Sequence, residues 1–158
     1  MCAWPTPQLR RISLLDIIGP APPESHLTEP PRGPRGGRWE RDNWTVRLQR
    51  LRERGARPDE SWLANLHESV GYARVMKDEC PCLTRRTQRV WIFSHGRYLT
   101  ASECALLQGF DPRRVSVVVS DVQFSAMLGN SMSVDVLKVV LGAVMPALMP
   151  VVESGGVT

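Results

Sequence analysis

An α+β fold is what this 158-residue chain predicts, on three observations. Apolar residues return at helical spacing after Asp42-Asn43. A β-branched and aromatic run, Arg89-Val-Trp-Ile-Phe93, stands near the middle. Two capping boxes, Thr100-x-x-Glu103 and Ser120-x-x-Gln123, each open a short helical pattern. The length and a 42% apolar share fit one globular domain and exclude a multidomain enzyme within these residues.

In order along the chain, residues 1–18 carry Leu9-Arg-Arg-Ile-Ser-Leu-Leu-Asp-Ile-Ile18, a short packed element that stops at Gly19-Pro20. Residues 19–37 hold ten Pro or Gly, which sustain neither a helix nor a central strand and read as a linker. In residues 38–96, Asp42-Asn43 caps a helix through Arg54, with Trp44, Leu48 and Leu51 on one face and Gly55 at the C′ position. Arg47, Arg50 and Arg54 take other positions and read as a solvated charged face, with phosphate contact as the alternative. From Pro58 to Arg89 neither the helical nor the strand period holds, which predicts short strands and loops. Arg89 to Phe93 then reads as a strand, and Ser94-His-Gly96 as its turn.

Residues 97–150 are more regular. The first capping box starts a helix lined by Cys104, Leu106 and Leu107, closed by Gly109 and stopped by Asp111-Pro112. Val115 to Val119 has strand composition, but the second box begins a helix with Val122, Phe124, Met127 and Leu128 that runs to Gly129. Ser131 or Ser133 caps a third helix, Val134 to Met149, with Val134, Leu137, Val140 and Leu141 on one face and Asp135 at its positive end. Residues 151–158 form a tail. Gly129-Asn130-Ser131 therefore precedes a helix N-terminus, where backbone N–H groups approached by a glycine suit an anion or polar ligand. A capped helix after a glycine turn also needs no ligand.

Charge and cysteines narrow the function. The chain carries a formal +4, and of its 20 basic residues only Lys77 and Lys138 are lysines. Arginine's fork suits phosphate or carboxylate, so nucleic acid is the first partner to consider. Met1 to Asp16 has Pro5, Pro7 and Arg10-Arg11 where a signal peptide needs an apolar core, so Cys2, Cys80, Cys82 and Cys104 are expected reduced, in an intracellular setting. Cys80-x-Cys82 with His95 and Cys104 lacks the paired spacing of a structural zinc site, and the thiols read as packed, with no metal. Val139 to Val152, which contains Pro146 and Pro150, is shorter than the roughly 20 residues of a spanning helix and reads as a buried segment, with no membrane partner.

Three ordered blocks are more specific. Arg97-Tyr-Leu-Thr-Ala-Ser-Glu-Cys-Ala-Leu-Leu-Gln-Gly-Phe110 and then Gly129-Asn-Ser-Met-Ser-Val-Asp-Val-Leu137 resemble the last two conserved blocks of the DNA cytosine-5 methyltransferases. Pro81-Cys-Leu-Thr-Arg85 looks like the segment that leads into the first of them. The resemblance implies part of a small target-recognition domain plus the C-terminal helices of a doubly wound S-adenosylmethionine-dependent methyltransferase domain. Residue by residue it implies that Gly129, Asn130 and Ser131 lie against the cofactor, with Asn130 as the polar contact. Arg97, Thr100, Glu103, Gln108 and Gly109 would organise the recognition region. Double-stranded DNA is the implied partner, with Arg85, Arg86, Arg89 and Arg97 as candidate contacts, and a nuclear setting follows if the source is eukaryotic.

The departures bear on activity. The family's cysteine nucleophile sits in a Pro-Cys-Gln loop, a Glu-Asn-Val motif meets the base, and a Phe-x-Gly-x-Gly loop holds the cofactor. None occurs in these 158 residues. Pro81-Cys82 precedes Leu83 and follows Asp78-Glu79, whose charge disfavours a thiolate, so no residue here is assigned as catalytic. The expectation is a C-terminal part, inactive alone, that uses S-adenosylmethionine only when the catalytic half is supplied. The alternatives are a non-catalytic DNA-binding remnant, or a subunit that completes a split enzyme with a separate chain. The entry Met1-Cys-Ala-Trp-Pro5 reads as a start inside a longer frame.

Overall fold

The computed structural model describes residues 13–22, 37–72, 74–85 and 89–148. Among these residues the elements are α1 (Leu14–Ile18), α2 (Arg38–Glu53), β1 (Trp62–Asn65), β2 (Met76–Lys77), β3 (Val90–Ile92), β4 (Arg97–Tyr98), α3 (Ala101–Leu107), α4 (Asp121–Asn130) and α5 (Val134–Leu148). The strands form one sheet in the order β2-β1-β3-β4, every neighbouring pair antiparallel, with Leu63 opposite Ile92 and Trp91 opposite Tyr98. The α+β expectation is met at that level.

Alternation along the strands sends side chains to two faces, and both faces are covered. Leu63, Val90 and Ile92 pack with Leu14 and Ile18 of α1, Leu99, Cys104 and Ala105 at α3, and Leu128 of α4. Ala64, Trp91 and Phe93 pack with Trp44, Leu48 and Leu51 of α2 and with Leu66 and Val75. A strand buried on both sides needs apolar residues at consecutive positions, so all three residues of β3 are buried. The imperfect alternation of Arg89 to Phe93 in the sequence has this cause. The mixed signals between Pro58 and Arg89 resolve into β1, β2 and a 3-10 turn at Val70–Tyr72.

Helix α2 corrects the expected start. It begins at Arg38, where the Gly37 N–H donates to Glu40 Oε2 at 3.1 Å, and Asp42-Asn43 lies inside it. Its buried stripe is Glu40, Asn43, Trp44, Arg47, Leu48 and Leu51, a regular helical spacing in which half the members are polar. Asn43 Nδ2 donates to the Leu66 carbonyl at 3.0 Å. Arg47, read from sequence as part of a solvated face, is 0% exposed. Its Nη1 donates to the Asn43 carbonyl (3.1 Å) and its Nη2 to those of Asn65 (2.9 Å) and Glu68 (3.3 Å). Asn43 and Arg47 thus satisfy backbone that leaves the sheet at the end of β1.

The two capping boxes stand where the sequence puts them. Thr100 Oγ1 accepts from the Glu103 N–H at 3.2 Å, and Ser120 Oγ from the Gln123 N–H at 3.3 Å. In α3 the inward residues are Glu103, Cys104 and Ala105, whereas Leu106 turns outward. Val115 to Val119 belongs to no strand and is exposed. Helix α4 continues through Asn130, so Gly129 and Asn130 form its last turn and not a loop.

Residues 139–146, read from sequence as part of a buried segment, are half-buried or exposed; positions 149–152 lie outside the described residues. Val136, Val140, Leu141, Val144 and Met145 each keep more than 40% of their surface in α5. The stretch Asp121–Pro146 is apolar enough to cross a membrane by length and composition, and little of it is buried. The helix breaks at Ser131, however. The 15 residues of α5 reach about 22 Å, short of a hydrocarbon core of roughly 30 Å.

Candidate functional site

The three sequence blocks meet at the junction of α4 and α5. Gln108 Nε2 donates to the Leu128 carbonyl at 3.1 Å, and the Gln108 carbonyl accepts from the Val134 N–H at 2.9 Å. One residue thus holds the end of α4 and supplies the partner for the first N–H of α5, where a serine cap is the sequence expectation. Gly109 follows with φ +80°, and a Cβ on it would stand 3.2 Å from that of Val134, so both its conformation and its crowding require glycine. Ser131 Oγ donates to the Leu128 carbonyl at 2.7 Å, closing the same turn.

Gly129 brings in the remaining block. A Cβ built there would fall on the backbone of Thr84 and Arg85. The segment after Pro81 therefore lies directly on the last turn of α4, and the missing side chain makes that approach possible. Beside this contact runs an open groove of about 390 Å³, lined by Cys80 to Leu83, Leu107, Gln108 and Ser131 to Ser133. Of the residues expected against the cofactor, Ser131 lines the groove, Asn130 is exposed and is not among its lining residues, and Gly129 is covered by Thr84. Met132 and Ser133 also line it, and the sequence marks neither as a cofactor contact.

Among the described residues the lining offers hydroxyl, thiol and amide groups and no charged side chain. That set fits one wall of a site for S-adenosylmethionine and leaves the ribose and ammonium groups to be held from elsewhere. Burial, with Cys104 and Cys82 nearby, pushes the Cys80 thiol up to about 12, which keeps it protonated and unreactive. Cys82 is exposed, and its Sγ makes only a long contact, 3.8 Å, to the Leu83 carbonyl. No group of three or more metal-ligating side chains comes together among the described residues.

The candidate DNA contacts separate. Arg85 is exposed, and Arg86 lies outside the described residues. Arg89 Nη1 bonds Glu40 Oε1 at 2.6 Å and contacts His67 Nδ1 at 2.9 Å. Arg97 grips Glu103 through two bonds, of 2.9 and 2.7 Å, and also donates to the Tyr98 carbonyl. Glu103 accepts as well from the Thr100 N–H at 2.8 Å, so the pair braces the capping box.

Burial raises the Glu103 carboxyl, but Arg97 and Thr100 outweigh it and leave it below the usual glutamate range. The folded state therefore binds this proton more weakly than the unfolded one. The stabilisation is complete above the ordinary value of 4.5 and is lost as pH falls. Glu103→Gln is expected to cost about 1–2 kcal/mol near neutral pH, a figure reduced because Arg97 keeps 38% of its side-chain surface exposed. Thermal melts of both proteins from pH 7 to pH 3.5 check this, and a gap between them that did not narrow with acid would refute it.

A model of the C-5 cytosine-specific DNA methylase family matches residues 44–145, from within α2 to within α5, more than half of the chain. The chain belongs to that family, whose members act on DNA and use S-adenosylmethionine. No curated protein and no solved structure gives a match.

Proposed function

We propose that this chain is the C-terminal, DNA-reading and cofactor-side part of a DNA cytosine-5 methyltransferase, which transfers a methyl group from S-adenosylmethionine to C5 of cytosine in duplex DNA. The convergence of the 81–85 segment, Gln108-Gly109 and the end of α4 on one junction supports it most directly. These stretches carry the family's pattern and touch one another.

In this reading the cysteine nucleophile, the glutamate that meets the base and the cofactor loop come from residues outside these 158, on the same polypeptide or on a second chain. S-adenosylmethionine supplies an electrophilic methyl when bound. Ser131, on the groove, and Asn130 beside it would give the cofactor polar contacts, and Gly129 would hold the 81–85 segment that forms the groove's other side. The exposed apolar side of α5 packs on a doubly wound sheet supplied from outside these residues. Arg85 and Arg86 are offered to phosphates, while Arg89 and Arg97 hold the reading surface through their ion pairs. The setting is intracellular, and nuclear in a eukaryote.

Methyl transfer from labelled S-adenosylmethionine to duplex DNA tests the division of labour. We expect none from the chain alone, and transfer after addition of a polypeptide bearing the Pro-Cys-Gln, Glu-Asn-Val and cofactor-loop motifs. Transfer by the chain alone, or failure of every complement to restore it, would overturn the reading.

A further inference from the structure

On the side of the molecule that carries α2, a second groove of about 480 Å³ runs between the last turns of that helix and Gly71, Tyr72, Arg74, Val75 and Met76. Arg50 and Arg54 line one wall, and Tyr72 and Arg74 the other. A neighbouring groove of about 410 Å³ shares Tyr72 and Arg74 and is also lined by Glu68 and Ser69. The two grooves meet at Tyr72 and Arg74 and together make one track.

We infer that this track binds the sugar–phosphate backbone of DNA. Arg54 and Arg74 meet phosphate oxygens, and the Tyr72 ring lies against a deoxyribose. The inference rests on the reading that the chain contacts DNA and adds a surface to it that none of Arg85, Arg86, Arg89 and Arg97 supplies.

Three features favour this ligand. First, the larger groove gathers three guanidinium groups and no carboxylate, an arrangement of like charges that a polyanion relieves. A helix C-terminus attracts cations and accounts for basic residues in the last turns of α2. It does not account for Arg74, which comes from a different segment across the groove. Second, Arg54 and Arg74 are exposed, and no carboxylate pairs with either among the described residues. Arg50 is engaged in an interaction of its own and serves as the wall behind them. Third, Tyr72 is 79% exposed beside these arginines, a planar apolar face with a hydroxyl at its tip that suits a sugar and its phosphate.

The phase of α2 supplies an internal control. Arg41 and Arg52 are also exposed, but at 100° per residue they lie on the opposite flank of the helix from Arg50 and Arg54. The experiment measures binding of the full chain to a fluorescent duplex by anisotropy, across a salt series. Its arms are the unmodified chain, Arg54→Gln with Arg74→Gln, Tyr72→Ala, and the charge-matched pair Arg41→Gln with Arg52→Gln.

The groove pair is expected to weaken binding about tenfold or more and to lower the slope of log affinity against log salt by about 1.8, two phosphate contacts' worth. Tyr72→Ala is expected to weaken binding while leaving the slope unchanged. The flank pair is expected to change both much less, and melts are expected to coincide because every altered residue is exposed. Equal losses for the groove and flank pairs would mean that net charge alone acts and would overturn the inference while leaving DNA contact intact. An unmodified chain that fails to bind duplex at low salt would overturn both this inference and the DNA-reading proposal.

Discussion

Arg47→Met is expected to destabilise the chain by about 3 kcal/mol, read as a lower urea midpoint at unchanged slope. The methionine fills most of the volume of the arginine stem, so the loss isolates the guanidinium. Without it the carbonyls of Asn65 and Glu68, which accept from Nη2 at 2.9 and 3.3 Å, lose their donor, the first in a buried site and the second in a half-buried one. Each such orphan costs about 1–3 kcal/mol. Opposing this is the cost of keeping a cation out of water: burial lowers the Arg47 affinity for its proton, and Glu68 offsets part of the effect. Buried charges are sometimes replaced by apolar side chains without loss. A Met variant as stable as the original would show that desolvation cancels the two carbonyl bonds. Arg47→Lys adds a second reading, because one ammonium keeps the charge but loses the fork; it is expected to fall between the other two.

Gly129→Ala is expected to cost about 3 kcal/mol or more, the upper part of the range for overpacking, because the added methyl would meet the main chain of Thr84 and Arg85 rather than a movable side chain. Gly142→Ala gives the opposite sign. It sits in α5 with open space around its would-be Cβ, so the gain in helix propensity, up to about 1 kcal/mol, is unopposed. Thermal melts of the two variants test both statements. A Gly129→Ala protein that melted with the original would mean that the 81–85 segment lifts from α4 at little cost. In the proposed function that variant also displaces a wall of the cofactor groove, so methyl transfer in the complemented enzyme should fall with it.

What the sequence made legible was mostly local. The boxes at Thr100 and Ser120 depend on residues three apart, and both close as read. The Gln108-Gly109 end of α3 is local too, although its grip on Leu128 and Val134 is not. The start of α2 was hidden because a search for apolar periodicity skips Glu40, Asn43 and Arg47, the polar half of the buried stripe. The strands were blurred by burial on both faces, which removes the period-two signature. Arg89 and Arg97 look like DNA contacts in the linear sequence because Glu40 is 49 positions from the first, and because Glu103 serves the cap and the ion pair together. The lodging of Thr84 against Gly129 had no sequence signal beyond the glycine itself. The resemblance supplied what periodicity lacked, namely that these distant blocks belong together.

The edges of the sheet carry a consequence for how the molecule meets copies of itself. Strands β2 and β4, at the two ends of the order, are each only two residues long. So short a margin presents few unpaired amides, and an added strand from another chain finds little template to zip along. What can drive self-association is the uncovered apolar side of α5. Clumping through a helix face is held by side-chain packing without a backbone ladder, so covering that one surface would keep the chain from precipitating.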